Sequence, residues 1–257
     1  MPETPLDKSK ERVQRMFASI AHRYDLMNHV LSLNIDRRWR ARMVRDVFPT
    51  RSGPILDLCT GTGDLALLYW KETHGRFPIV GADFCPEMLA HARRKAQRLG
   101  AGAAIEWLEA DALALPFPDD HFQLVTVAFG VRNLADTEAG LREVVRVCQP
   151  GGSVGILEFS LPTWQPFRGV YRWYFRAVLP RLGQWLARNP ESAYRYLPSS
   201  VAEFPYGDVF AVLLRRVGLT SVTYRPLTGG ITTLYMGRKP AVGDRPGSDR
   251  LPGAGPA

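Results

Sequence analysis

Asp57, Gly61, Gly63, Asp64 and Asp83 are the residues whose types and spacing suggest chemistry first. They lie in and beyond the stretch Pro-Ile-Leu-Asp-Leu-Cys-Thr-Gly-Thr-Gly-Asp-Leu-Ala at 54–66. Gly61, Gly63 and Ala66 meet the spacing G-x-G-x-x-G/A, and Asp83 stands twenty residues past Gly63, where an acid that binds ribose hydroxyls belongs. Spacing alone would fit a dinucleotide, but the acids argue against it. A pyrophosphate rests on a helix N-terminus. Here Asp57 at the strand end and Asp64 at the helix start would meet it with like charge at low dielectric. A cationic adenosyl ligand without phosphate is favoured, and S-adenosylmethionine has that form. Asp83 is expected to accept from the ribose hydroxyls. Gly61 and Gly63 are expected to let the backbone approach the methionine part. As a helix cap alone, Asp64 would be worth about 1 kcal/mol, which leaves Asp57 and Asp83 unexplained.

Three more segments hold candidates. Asp111 and Ala112 follow the apolar run 105–108; a carboxylate and an N–H there suit the amino group and ring nitrogen of adenine. Phe129-Gly130-Val131-Arg132-Asn133 follows another apolar run, so Ala128 is expected to flank the reactive end of the cofactor. Arg132 could hold an oxyanion and Asn133 could bond a hydroxyl or an ammonium. A salt-bridged Arg132 and a helix-capping Asn133 are the plainer alternatives. Tyr24-Asp25-Leu26-Met27-Asn28 suits either an amphiphilic pocket or a helix-to-helix turn. No metal is expected. The histidines at 22, 29, 74, 91 and 121 show no ligand spacing, and the three cysteines, Cys59, Cys85 and Cys148, form no metal or disulfide pattern.

The elements that must position these residues read as an α/β fold. Helical spacing covers 10–48, with a second segment at 37–47 that Asp36 would cap. Strands are expected at 55–58, 79–83, 105–108, 122–128 and 154–158, with helices at 64–72, 86–99 and 135–147 between them. Pro150-Gly151-Gly152 reads as a turn. A helix at 201–217 and strand-like runs at 221–224 and 231–236 complete the pattern. Strands alternating with helices predict a doubly wound, mostly parallel seven-stranded sheet. Residues 1–48 would form an N-terminal helical segment over the site, 49–238 the main domain, and 239–257 a disordered tail.

Residues 160–200 break the alternation as a helical insertion. Trp164, Phe167, Tyr171, Tyr174 and Val178 share one helical stripe, and Arg168, Arg172, Arg176, Arg181 and Arg188 lie among them. A basic amphipathic helix rich in aromatics suits a membrane surface as well as a core-facing stripe. The net charge of +8 permits nucleic acid or anionic lipid; arginine concentrated among aromatics favours lipid. At 46% hydrophobic residues the 257-residue chain can build a sizeable core. It shows no run long enough to span a bilayer and no signal peptide, which predicts a cytoplasmic protein, peripheral at the inner face of the membrane.

With those residues in hand, the chain resembles the menaquinone/ubiquinone biosynthesis C-methyltransferases, a family of class I S-adenosylmethionine methyltransferases. Two segments carry the resemblance: Tyr24-Asp25-x-Met27-Asn28-x-x-Leu31-Ser32 ending at Trp39, and Arg146-Val147-x-x-Pro150-Gly151-Gly152 ending at Glu158-x-Ser160. Phe-Gly-x-Arg-Asn and Tyr194-Arg195-Tyr196-Leu197 are also typical. Asp36 stands where the family usually has His, and Gln149 where Lys is usual. The resemblance covers about 10–238. It implies cofactor contacts at Thr62, Asp83, Asp111 and Ala112, an antiparallel last strand and a polyprenylated quinol as substrate. Aromatic C-methylation follows: loss of a quinol hydroxyl proton makes the ortho carbon nucleophilic, with Arg132, Asn133 and Tyr24 as catalytic candidates. Leu-Cys-Thr-Gly-Thr-Gly looks more like the menaquinone branch. The ubiquinone-branch methoxy-benzoquinol methylase, a non-catalytic quinone-binding protein and an RNA methyltransferase are the alternatives. No nucleic-acid partner is expected, and a homo-oligomer is allowed.

Overall fold

A computed structural model describes residues 7–162, 164, 165, 168, 169, 193–241 and 243. Four strands form the first half of the sheet: β1 (Ile55–Leu58), β2 (Ile79–Asp83), β3 (Ile105–Glu109) and β4 (Phe122–Ala128). β5 (Cys148–Phe159), β6 (Thr220–Leu227) and β7 (Thr232–Arg238) complete it. Their spatial order is β3-β2-β1-β4-β5-β7-β6. β7 runs antiparallel to both neighbours, and the other pairs are parallel. β1 and β2 are buried along their whole length, as strands covered on both faces must be.

Alternate residues feed two cores, because side chains of a strand point to opposite faces. Ile55, Ile79 and Leu124 join Trp39, Met43, Leu65 and Tyr69 on one face. Leu56, Val80 and Val125 join Leu141, Val144, Phe210 and Leu214 on the other. Burying each such side chain contributes about 1.5–3 kcal/mol. The helices that supply these partners are α3 (Ile35–Asp46), α4 (Asp64–Glu72), α6 (Thr137–Val147) and α8 (Asp208–Arg216). Ahead of them come α1 (Lys10–Ile20) and α2 (Tyr24–Leu31); α5 (Pro86–Arg98) follows β2, and α7 (Ala193–Glu203) precedes α8.

Three expectations need correction. α3 begins after Asn34, held left-handed at φ 60°, and Asp36 is not its cap. Asp36 is buried in the first turn, where it takes Arg40 Nη1 at 2.5 Å and Ser32 Oγ at 2.6 Å. The span 201–217 is two helices, because Pro205 offers no N–H and Gly207 turns the chain at φ 63°. Pro150-Gly151-Gly152 lies inside β5 as an irregularity: Cys148 pairs Phe122, and the register resumes at Ser153 opposite Leu124. Most of the aromatic and basic insertion, including Phe167, Tyr171, Tyr174 and Val178, lies outside the described residues, as does nearly all of the tail.

Candidate active site

The order of the sheet reverses between β1 and β4, and in such sheets ligands bind beyond the carboxyl ends of the strands at that point. Two strained loops meet there. Cys59 after β1 has φ 54° and Phe129 after β4 has φ 62°, both unusual for residues with a Cβ. Gly130 is needed beside them, because a Cβ on it would collide with the Cβ of Cys59. The two loops are thereby locked face to face.

Asp57 holds the first loop from beneath. Its carboxylate accepts from Thr60 Oγ1 at 2.5 Å, Thr126 Oγ1 at 3.1 Å and the Ala66 amide at 3.1 Å. Burial pushes its pKa up to about 7 despite these donors. Asp64 is paired with two cations: Lys95 Nζ lies 2.7 Å from it and Arg40 Nη2 3.7 Å. Burial raises its proton affinity, but these cations outweigh burial and hold it below the usual range. As bare charges, both acids would repel a bound phosphate. The geometry corrects this: one acid organises the turn and the other is already neutralised.

The acids that do line the cleft are Asp83 and Asp111. About 790 Å³ of space, open solvent at the mouth included, lies between these walls. Gly61, Ala112, Ala128, Tyr24 and Asn133 line it too. Asp57, Thr62, Gly63 and Arg132 do not. Asp83 is nearly buried; it accepts from the Gly61 amide at 2.8 Å and the Cys85 amide at 3.0 Å. Burial raises its pKa to about 6 against those amides. The Phe84 amide also stabilises this carboxylate, and of the roughly four acceptor sites on a carboxylate capacity remains for a ribose hydroxyl. Asp111 accepts from Lys10 Nζ at 2.8 Å and the Leu113 amide at 3.0 Å. Burial would raise its pKa, and these donors hold it low instead. Leu58, Phe84 and Met88 supply apolar surface for a planar base. A neutral adenosyl group with a diol fits this donor set.

The N-terminal helices reach the same cleft. Lys10, Val13 and Phe17 of α1 line it, and Gln14 Nε2 donates to the Phe84 carbonyl at 2.9 Å. Tyr24 stands against Gly61, with burial raising its pKa. α2 is tied to the first loop because the Thr62 hydroxyl donates to Asp25 and Lys95 Nζ lies 2.5 Å from Asp25. Thr62 therefore meets α2 through its side chain. Lys10 and Glu158 escaped the reading of the sequence. Lys10 shares a helical face with Val13 and Phe17, so the stripe extended by one turn would have found it.

Arg132 is buried and paired. Nη1 donates to Glu158 Oε1 at 2.8 Å and also to the Phe129 carbonyl, while its backbone N–H donates to Glu158 Oε2 at 3.3 Å. It does not hang over the cleft as the sequence suggested; β5 presents a fully buried carboxylate that draws it inward. Asn133 Nδ2 donates weakly to the same carbonyl at 3.4 Å. Among the described residues, His29, Asp36 and Asp64 bring ligand atoms within 4.8 Å of one another. Arg40 already bonds two of them, so a guanidinium fills the place of a cation.

Comparison with solved structures places the fold. The cyclase SpnF superposes with TM-score 0.69 at 14% identity, covering 93% of this chain and 98% of that one. A SAM-dependent methyltransferase from Aquifex aeolicus superposes with TM-score 0.56 at 17% identity, covering 77% and 88%. Fold likeness at such identity does not choose between cyclisation and methyl transfer. Together with the sequence relationship, fold and site define an S-adenosylmethionine-dependent methyltransferase. The sequence model of the ubiE/COQ5 methyltransferase family matches residues 6–239, and the chain belongs to that family. A demethylmenaquinone methyltransferase of Thermus thermophilus is 49% identical, covering 88% of this chain and 100% of that relative. A ubiquinone/menaquinone biosynthesis C-methyltransferase of Geobacter sp. (strain M21) is 45% identical over 91% and 99%. The demethylmenaquinone methyltransferase of Deinococcus radiodurans is 46% identical over 89% and 93%.

Proposed function

We propose that this methyltransferase methylates a ring carbon of a polyprenylated quinol, with demethylmenaquinol as acceptor. The observation that carries the reading is the 49% identity to a demethylmenaquinone methyltransferase along the whole of that relative. S-adenosylmethionine, when bound, supplies a methyl group already activated on a sulfonium. The chain supplies position and charge. Asp83 accepts a ribose hydroxyl, Asp111 and Ala112 recognise the base, and Gly61 and Ala128 let the backbone close on the methionine part. Gly63, Thr62 and Asp57 shape that turn. Tyr24 and Asn133 flank the acceptor, and Arg132 acts from behind that wall, where its bonds to Glu158 and to the Phe129 carbonyl fix the turn that carries Asn133. Methyl label carried from S-adenosylmethionine into a short-chain demethylmenaquinol tests this. No incorporation, with the cofactor bound, would refute it.

The acceptor's tail argues for work at a lipid surface. At about 0.8 kcal/mol per CH₂, each isoprene unit costs about 4 kcal/mol to draw into water. Among the described residues no helix is long and apolar enough to cross a membrane. Contact would be peripheral, at the inner face. Leu26, Val30 and Leu33 support it: they are exposed along α2 and the turn after it, beside the exposed Arg23, Arg37 and Arg38. The acids of the same segment, Asp25 and Asp36, turn inward to Lys95 and Arg40. That leaves an apolar and cationic outer face suited to anionic lipid.

A further inference from the structure

Gly81 sits in the middle of β2 and Gly63 in the turn before α4, and one side chain fills the space in front of both. A Cβ placed on Gly63 would lie 2.8 Å from Cζ3 of Trp107 and closer still to Cη2. A Cβ placed on Gly81 would lie 2.6 Å from Cε3 and 2.6 Å from Cζ3 of the same indole. Non-bonded carbons pack about 3.5–4.0 Å apart, and a glycine inside a strand marks a place where another group comes close. The far edge of the indole is thus wedged between β2 and the turn. Ala92 of α5 closes a further side, with its Cβ 3.1 Å from the Gly63 position. Gly63 does not line the cleft, so its bare Cα makes room for the indole and not for a ligand.

Trp107 lies on β3 in register with Gly81, and it too stays outside the cleft lining. Its Nε1 is buried without a hydrogen-bond partner among the described residues. An unpaired buried donor is unfavourable, so the size of the ring, not a hydrogen bond, accounts for a tryptophan there. What the ring touches is the frame of the cofactor site. Gly81 pairs Asp57 on its other side and stands two residues before Asp83. The start of the turn is tied to β2: the Thr60 amide donates to the Ala82 carbonyl at 3.0 Å, and the Gly61 amide to Asp83 at 2.8 Å. The far end, at Gly63, rests on the indole. We propose that Trp107 is a positioning residue for the cofactor, its indole being the spacer between Gly81 and Gly63 that sets the height of the turn 59–63 above β2. With the spacer in place, the Gly61 amide meets Asp83, and that carboxylate is presented to the ribose. This rests on the reading of Asp83 as the ribose acceptor.

The test is a double-mutant cycle on the affinity for S-adenosylhomocysteine, measured by calorimetry on folded protein beside thermal melts. Gly81→Ala adds only the methyl group that meets the indole, because Gly81 is not among the left-handed residues. Trp107→Leu removes Cε3, Cζ3 and Cη2. Each single variant should weaken binding about tenfold or more, since small misplacements of a binding frame are costly. The double variant should bind no more weakly than Trp107→Leu, because the methyl group then displaces nothing. Trp107→Phe, whose smaller ring ends short of the indole's far edge, should fall between wild type and Trp107→Leu. It takes the place of Trp107→Leu in the cycle if that variant does not fold. Lowered melting temperatures with wild-type affinity throughout would overturn the proposal and leave Trp107 a packing residue alone. Losses that multiply in the double variant would overturn it as well, since indole and methyl group would then act apart. Asp83→Ala tests the underlying reading separately: wild-type affinity there, with the cycle coupled as expected, would uphold the spacer and overturn the ribose contact.

Discussion

Replacing Asp57 with Asn should change how stability depends on pH. The Asp57 carboxyl sits at the end of β1 with no cation bonded to it, and burial raises its pKa from 3.8 to about 7. The folded state thus holds this proton more tightly than the unfolded chain. The resulting stabilisation is complete below the unfolded value and is lost as pH rises through the folded one. Between pH 5 and 8 the group should withdraw about 2–3 kcal/mol from the wild-type protein. Asn stands in for the protonated acid. Its carbonyl can accept from Thr60 and the Ala66 amide, and its amide can face Thr126, which also donates to the Leu56 carbonyl at 3.2 Å. Asp83, raised to about 6, titrates in both proteins and cancels in their difference. Chemical denaturation at pH 5, 6.5 and 8 should show Asp57→Asn gaining about 2–3 kcal/mol on wild type across the series. In melting temperature that is about 5–10 °C for a domain of this size. Parallel pH curves would refute the view that Asp57 is a buried structural acid and restore it as a charged member of the cofactor site.

Four other variants bear on the site and its surface. Asp83→Ala should weaken S-adenosylmethionine binding about 10- to 100-fold by calorimetry, since a charge-assisted bond to the ribose is lost. Arg132→Ala should cut turnover far more than cofactor affinity; unchanged turnover would remove it from the mechanism. Gly130→Ala should destabilise the fold by about 1–3 kcal/mol in chemical denaturation, because the new methyl group meets the Cβ of Cys59. Leu26, Val30 and Leu33 replaced together by Ser should reduce sedimentation with anionic liposomes while leaving activity on a soluble short-chain quinol intact. Undiminished sedimentation would place lipid contact elsewhere.

The strands β1, β2 and β4 were readable because apolar runs between glycine and proline signals leave little choice of period or boundary. The class of cofactor was readable too, though partly for the wrong reason. In the sequence alone, Asp57 at a strand end and Asp64 at a helix start are bare charges. Asp57 is held by nearby Thr60 and Ala66 but also by Thr126, and Asp64 by Lys95; Thr126 and Lys95 lie 69 and 31 residues away in sequence, and no local pattern announces such pairings. The partner of Arg132 is hidden for the same cause: its carboxylate, Glu158, comes from the next strand, 26 residues on. The break between α7 and α8 was different in kind. Pro205 and Gly207 stand in plain view inside 201–217 and are themselves the signal of the break. Lys10 needed the path of α1 across the cleft before its pairing with Asp111 had meaning.

The most direct test of the central claim is a competition. Purified protein with S-adenosylmethionine is offered demethylmenaquinol and 2-methoxy-6-polyprenyl-1,4-benzoquinol of equal prenyl length in one vesicle preparation, and product masses are followed with time. The account predicts that demethylmenaquinol becomes one methyl group heavier first and that methylation is on ring carbon. Preferential methylation of the benzoquinol, or of neither quinol while the cofactor binds, would contradict it.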